Sequence, residues 1–141
     1  MAKAEIARAA PVYLDANILI RMIESAPQDL AAIRSALAPY VERGAVFITS
    51  ELSLTEVLVH PIRQNDSARI ERYQRLLTDF VETKPVSREV LLTEARLRAR
   101  KPALRTPDAI HMATAMLAQA AVFLTGDQGI KSTPGCVVMH V

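Results

Sequence analysis

The stretch Val12-Tyr13-Leu14-Asp15-Ala16-Asn17-Ile18-Leu19-Ile20 decides the fold class. An apolar run too short for a helix ends in an acid and an amide, and apolar residues then resume at helical spacing. Two further runs, Ala45-Val46-Phe47-Ile48-Thr49 and Ala121-Val122-Phe123-Leu124-Thr125, have the same character. Runs this short and this uniformly apolar fit strands buried on both faces of a parallel sheet. Cys136 to Val141, after a turn at Pro134-Gly135, is a fourth candidate strand, and Phe80 to Lys84 is a weaker one.

Helical patterns lie between the strands. Asp66 to Phe80 places Ile70, Tyr73, Leu77 and Phe80 on one face, with a Glu71/Arg75 pair one turn apart. Ser87 caps a helix running to about Arg100, which Pro102 stops. Thr106 reads as an N-cap, Pro107 as the first helical residue, and Asp108 as an acid in the first turn. The helix from Ala109 to Gln119 is apolar nearly all round and is therefore central. Pro39 kinks or splits the segment from Gln28 to Arg43, and Pro61 ends a helix at His60. Strands alternating with helices give an α/β class: one domain over residues 11–141, with a central, mainly parallel sheet flanked by helices in an α/β/α sandwich. Residues 1–10 read as a flexible arm.

The composition supports one packed domain. The chain has 141 residues, 50% of them hydrophobic, and 17 Lys plus Arg against 15 Asp plus Glu. That composition buries a core and excludes a disordered tail. A net charge of +2 excludes a protein that coats nucleic acid by charge alone. Cys136 is the one cysteine, so there is no internal disulfide and no Cys/His zinc spacing. No run has the length of a signal peptide or membrane span, and a cytoplasmic location is expected.

The acids carry the chemistry. Asp15 ends the first strand, Asp127 follows the Phe123-Leu124-Thr125 strand by two residues, Asp108 stands at the mouth of the buried helix, and Glu56 lies on a helix that follows the second strand. Ligands of open α/β sheets bind outside the carboxyl ends of the strands, so all four are expected at one edge. Carboxylates so placed repel one another, and a divalent cation removes that cost. All-oxygen donors suit Mg²⁺ or Mn²⁺. There is no phosphate-binding glycine loop, nucleophile elbow or Ser/His/Asp set, and metal-assisted phosphodiester hydrolysis is the chemistry that fits. On this reading Asp108→Asn relieves repulsion and stabilises the metal-free chain.

Taken singly, each acid has a second reading. Asp15 suits an N-cap for a helix starting at Ala16, Glu56 a capping box with Ser53, Asp108 a partner of the helix dipole, and Asp127 a turn. Their joint order is more specific. Val12 to Ile20, Ile48 to Leu58, Thr106 to Ala115 and Phe123 to Gln128 together resemble the PIN domain, and within it the VapC-type ribonuclease toxins of toxin–antitoxin pairs.

The resemblance implies Asp15, Glu56, Asp108 and Asp127 as both the catalytic and the metal-binding quartet, with Asn17 and Thr125 as polar support. It also implies an RNA substrate cut to 5′-phosphate and 3′-hydroxyl ends, a homodimer, and a small antitoxin that plugs the site. Two positions depart from the pattern: Ala16 stands where Thr is frequent, and Ile130 where an aromatic is common.

Two other features have competing readings. His111, three residues after Asp108, is either a phosphate contact or proton shuttle, or a hydrogen-bonded structural histidine. Arg96, Arg98, Arg100, Lys101 and Arg105 either grip RNA or an acidic antitoxin tail, or form a solvated face supported by Glu94/Arg98. With 4% aromatic residues, base stacking is limited. A haloacid-dehalogenase-type phosphotransferase needs a second acid at position 17, which is Asn. The remaining alternative is a PIN-like module that binds RNA or protein and cuts weakly or not at all. Setting the four acids apart leaves 11 against 17 bases, a formal +6 for the body around them. A basic body around an acidic pocket suits a polyanion.

Overall fold

The computed structural model describes residues 9–141. All of the expected arm except Ala9 and Ala10 lies outside the described residues. The elements in chain order are β1 (Val12–Leu14), α1 (Ala16–Glu24), α2 (Pro27–Glu42), β2 (Phe47–Ser50), α3 (Leu52–Arg63), α4 (Ser67–Arg75), β3 (Val81–Lys84), α5 (Arg88–Arg100), α6 (Thr106–Leu117), β4 (Val122–Thr125) and β5 (Val138–His140). The five strands run parallel in the order β3-β2-β1-β4-β5. Both outer candidate runs, Phe80 to Lys84 and Cys136 to Val141, contain strands.

The alternation within β1 builds the layers. Val12 and Leu14 enter a core with Ile18 and Leu19 of α1, Ile33 and Leu37 of α2, Val57 of α3 and Tyr73 of α4. Tyr13 points to the opposite face, among Val90 and Leu97 of α5 and Ile110, Met112 and Ala113 of α6. All three β1 residues are fully buried. Burying one such side chain is worth ~1.5–3 kcal/mol, so a one-residue slip, which exchanges the faces, is strongly disfavoured. The result is the expected α/β/α sandwich.

β1 is the switch point. The chain moves outward from it through β2 and β3, then returns to β4 on its other side and ends at β5. A crevice therefore opens beyond the carboxyl ends of β1 and β4.

Four local expectations are corrected. α2 runs as one helix from Pro27 through Pro39 to Glu42, so Pro39 does not split it. α3 passes through Pro61 and ends at Arg63. Each proline withholds a single N–H, and each stands in the last turns, where the remaining bonds and the buried face hold the helix. α6 begins at Thr106 itself, with Arg105 at the N-cap and no side-chain cap. The face drawn to Phe80 breaks at its end: Leu76–Phe80 form a π-type turn, and Phe80 is exposed, stacked on Phe47 at 5.4 Å. The shift follows from the change of helical pitch, which rotates Phe80 away from Tyr73 and Leu77. Ile130 fills the core behind the last acid, 4% exposed.

Candidate active site at the carboxyl edge of the sheet

Asp15 is the anchored member of the site. It follows β1, caps α1 through its Oδ1, which accepts from the Ala16 N–H at 2.8 Å, and is 5% exposed. Its Oδ2 accepts from Asn17 Nδ2 at 3.0 Å and from the Thr125 hydroxyl at 2.8 Å. The N-cap reading of this residue is therefore borne out. Burial pushes the Asp15 carboxyl above its usual value, against the opposing pull of His111, Thr125 and the Ala16 amide.

Thr125 and Asn17, the two polar residues that the resemblance singled out, both donate to Asp15. The Thr125 hydroxyl donates to Asp15, and its oxygen accepts from Asn17 Nδ2 at 3.1 Å and from the Asp127 N–H at 3.0 Å. That uses the hydroxyl's one donor and both its lone pairs. Asn17 in turn accepts from the Gly126 N–H at 2.8 Å, so the turn after β4 is tied to the start of α1. A Cβ at Gly126 would stand 3.3 Å from the Arg21 guanidinium and 3.4 Å from Asn17 Oδ1, so the turn passes close to both side chains.

Glu56 reaches the site through His111. Its Oε1 lies 2.5 Å from His111 Nε2, and the same nitrogen is 3.9 Å from Asp15 Oδ1. The capping-box reading of Glu56 is not realised. α3 has no side-chain cap, and the Ser53 hydroxyl pairs with Thr49 Oγ1 at 2.7 Å instead.

Asp108 and Asp127 line a separate cleft of about 350 Å³ together with Lys101, Arg105 and Lys131. Asp108 Oδ2 is 3.4 Å from Arg105 Nε, and Asp127 Oδ1 accepts from the Gly129 N–H at 2.8 Å, the turn bond expected of it. The four acids thus form two pairs, Asp15 with Glu56 about His111, and Asp108 with Asp127 across the cleft. The Thr125 hydroxyl, bonded to both Asp15 and the Asp127 amide, joins the pairs.

The donor chemistry fits a hard divalent cation, since all four acids offer oxygen alone. As the side chains stand, no group of three or more His, Cys, Asp or Glu among the described residues is placed to hold one. Each acid already has protein partners: Asp15 the Ala16 amide, Asn17 and Thr125, Glu56 His111, Asp108 Arg105, and Asp127 the Gly129 amide. Of these holders Arg105 is 76% exposed, so its bond is the one most readily exchanged.

Of the basic run, Lys101 and Arg105 line the cleft, while Arg98 pairs with Glu94 at 3.4 Å. Arg96, Arg98 and Arg100 lie on exposed positions of α5 and are not among the residues lining that cleft. Sequence reasoning missed Lys131 and Tyr13. Tyr13 Oη lies 2.5 Å from His111 Nδ1 and accepts from the Ser50 N–H at 3.0 Å. The signal was available: a tyrosine in an apolar strand and a histidine in an apolar helix both need a partner when buried.

Three solved structures share the architecture. A DNA-bound VapBC2 from Rickettsia felis has a TM-score of 0.73 at 15% identity, covering 92% of this chain and 97% of that one. A toxin–antitoxin complex from Klebsiella pneumoniae has a TM-score of 0.66 at 24% identity, covering 89% and 95%. A DNA-bound VapBC from Salmonella typhimurium has a TM-score of 0.66 at 19% identity, covering 94% and 98%. No curated protein matches the sequence. The sequence matches the PIN domain model over residues 12–135. That span runs from β1 past the turn after β4 and includes the elements that carry all four acids, and the chain belongs to the PIN domain family.

Proposed function

We propose that this chain is a Mg²⁺- or Mn²⁺-dependent endoribonuclease and the toxin of a toxin–antitoxin pair. The observation that carries the reading is Asp15. A carboxylate buried at the switch point, held by three donors and pushed toward its neutral form by burial, is costly unless a cation or substrate uses its charge. Likeness to structures described as VapBC and toxin–antitoxin complexes supports a small antitoxin as partner. RNA as substrate, 5′-phosphate and 3′-hydroxyl products, a homodimer and a cytoplasmic location belong to the same reading. No helix among the described residues is long and apolar enough to cross a membrane.

Asp15, Glu56, Asp108 and Asp127 would hold the cation. When bound, it supplies a water of lowered pKa and stabilises charge on the phosphoryl oxygens. The chain's own residues bind and orient. Lys101, Arg105 and Lys131 meet backbone phosphates along the cleft, displacing counterions. Thr125 and Asn17 keep Asp15 in one rotamer, so no ordering cost falls on the reacting complex. Ala16, which replaces the frequent Thr, gives its backbone N–H to Asp15, so the departure takes no contact from the acid.

The competing reading is a PIN module that binds without cutting, and the absence of a ready-made cluster of three ligands among the described residues favours it. End-labelled RNA titrated with Mg²⁺ or Mn²⁺, for the natural chain and Asp15→Asn, separates the two. Cleavage that needs the metal and disappears in Asp15→Asn is expected. RNA binding without cleavage by both proteins rejects the enzyme.

A further inference from the structure

The Tyr13–His111–Glu56 chain of hydrogen bonds takes its direction from the Glu56 end. At one end the Ser50 backbone N–H donates to Tyr13 Oη at 3.0 Å; an amide only donates, so the phenol oxygen accepts there. At the other end His111 Nε2 lies 2.5 Å from Glu56 Oε1. A carboxylate only accepts, so Nε2 carries the hydrogen. A neutral imidazole protonated at Nε2 has a bare Nδ1, and the Tyr13 O–H, 2.5 Å away, is the donor that meets it. Amide, phenol, imidazole and carboxylate therefore align as one run of donors. The opposite tautomer would set a lone pair against the Glu56 oxygen.

Burial makes the arrangement rigid at its inner end. Tyr13 is fully buried and His111 is 1% exposed, so water does not compete for these bonds. Tyr13 is also stacked on Phe123 at 5.0 Å and meets the His111 ring edge-on at 5.8 Å. Glu56 differs, with its side chain 31% exposed. Nothing about its own burial requires a partner, and an exposed glutamate held in one rotamer loses entropy worth up to ~2 kcal/mol. The hold has a directional result: His111 Nε2 is shared between Glu56 at 2.5 Å and Asp15 at 3.9 Å, so the two acids face one another across it.

The geometry points to His111, in the tautomer that accepts from Tyr13, as a positioning residue that holds the Glu56 carboxylate beside Asp15. The inference rests on the reading of these acids as a metal-binding nuclease site. His111 touches no substrate; it acts through Glu56. Hydrogen-bond partners of metal-binding carboxylates typically contribute ~10–100-fold to metal affinity.

Two measurements on the full-length chain test this, neither requiring RNA. Nitrogen-15 NMR of histidine-labelled protein reads the tautomer of His111, and calorimetric titration with Mn²⁺ reads affinity in the natural chain, His111→Asn and His111→Gln. The expected form carries hydrogen on Nε2 alone, and hydrogen on Nδ1, in the other tautomer or in an imidazolium, overturns the proposal even if no variant folds. In His111→Asn the amide stands at the Nδ1 position and loses Glu56, so Mn²⁺ binding weakens ~10–100-fold. In His111→Gln the amide reaches the Nε2 position, and most of the affinity returns. Equal Mn²⁺ affinity in all three rejects the positioning role and leaves a structural histidine. Mn²⁺ binding with the expected order but no RNA cleavage retires the nuclease reading and keeps the positioning role. Cleavage with equal affinities does the reverse, and no Mn²⁺ binding by the natural chain retires both.

Discussion

The Thr125 hydroxyl, at the end of β4, donates to Asp15 Oδ2 at 2.8 Å across 110 positions of sequence. Two adjacent parallel strands thereby deliver a carboxylate and its holder to the same point. One Oγ serves as the hub for Asp15, Asn17 and the Asp127 amide.

Thr125→Val keeps the shape and removes the hub. Asp15 loses a donor while staying buried, and a hydrogen bond to a charged group is worth ~1.5–3 kcal/mol. Unfolding in urea is expected to show a loss of about that size, with Thr125→Ser recovering most of it. A Val variant as stable as the natural chain contradicts the role given to this hydroxyl.

The structure changes the expectation for Asp108→Asn. Crowded acids predicted a gain in stability, but the charged neighbour Asp108 meets is Arg105 at 3.4 Å, largely exposed. Pairs of that kind are worth ~0–1 kcal/mol, so the melting temperature in chelator should stay level or fall slightly. A clear rise would restore the crowded arrangement.

Asp15 gives the chain a pH signature. Its folded pKa is raised above 3.8, chiefly by burial. Its contribution is therefore fully present below the unfolded value and is lost as pH rises through the folded one. In chelator, the melting temperature of the natural chain minus that of Asp15→Asn should decline between strongly acidic and neutral pH. A flat or rising difference would mean that Asp15 is not desolvated.

Cys136 should be inert in the folded protein. It is 4% exposed, and burial pushes its thiol up to about 11, so little thiolate forms at neutral pH. A thiol-specific chromogenic reagent is expected to label it slowly in buffer and fully in denaturant. Rapid labelling in buffer would show that the segment between Thr133 and β5 opens.

Much of this was legible in the sequence because the deciding signals are local. Three uniformly apolar runs ending in polar residues mark β1, β2 and β4, and an acid at the end of such a strand must face the carboxyl edge. Helix ends around prolines were less legible. Pro39 and Pro61 sit in final turns, where the cost of a missing N–H is small and tertiary packing outweighs it. The partners within the site were the least legible. Which donor each acid takes depends on contacts such as Glu56 with His111, 55 residues apart, and Asp15 with Thr125, which no local pattern encodes. The pairing of Asp108 with Arg105 is local, but it competes with the dipole reading of the same acid.

The central claim of the proposed function is that acids from four separate parts of the chain close on one cation, with Asp15 at their centre. Anomalous diffraction from crystals soaked in Mn²⁺ tests it most directly. The account predicts a peak within coordination distance of Asp15 and at least one of Glu56, Asp108 and Asp127, with the Arg105 side chain displaced from Asp108. A map with no peak at Asp15, or with Mn²⁺ only at surface carboxylates elsewhere, would contradict it.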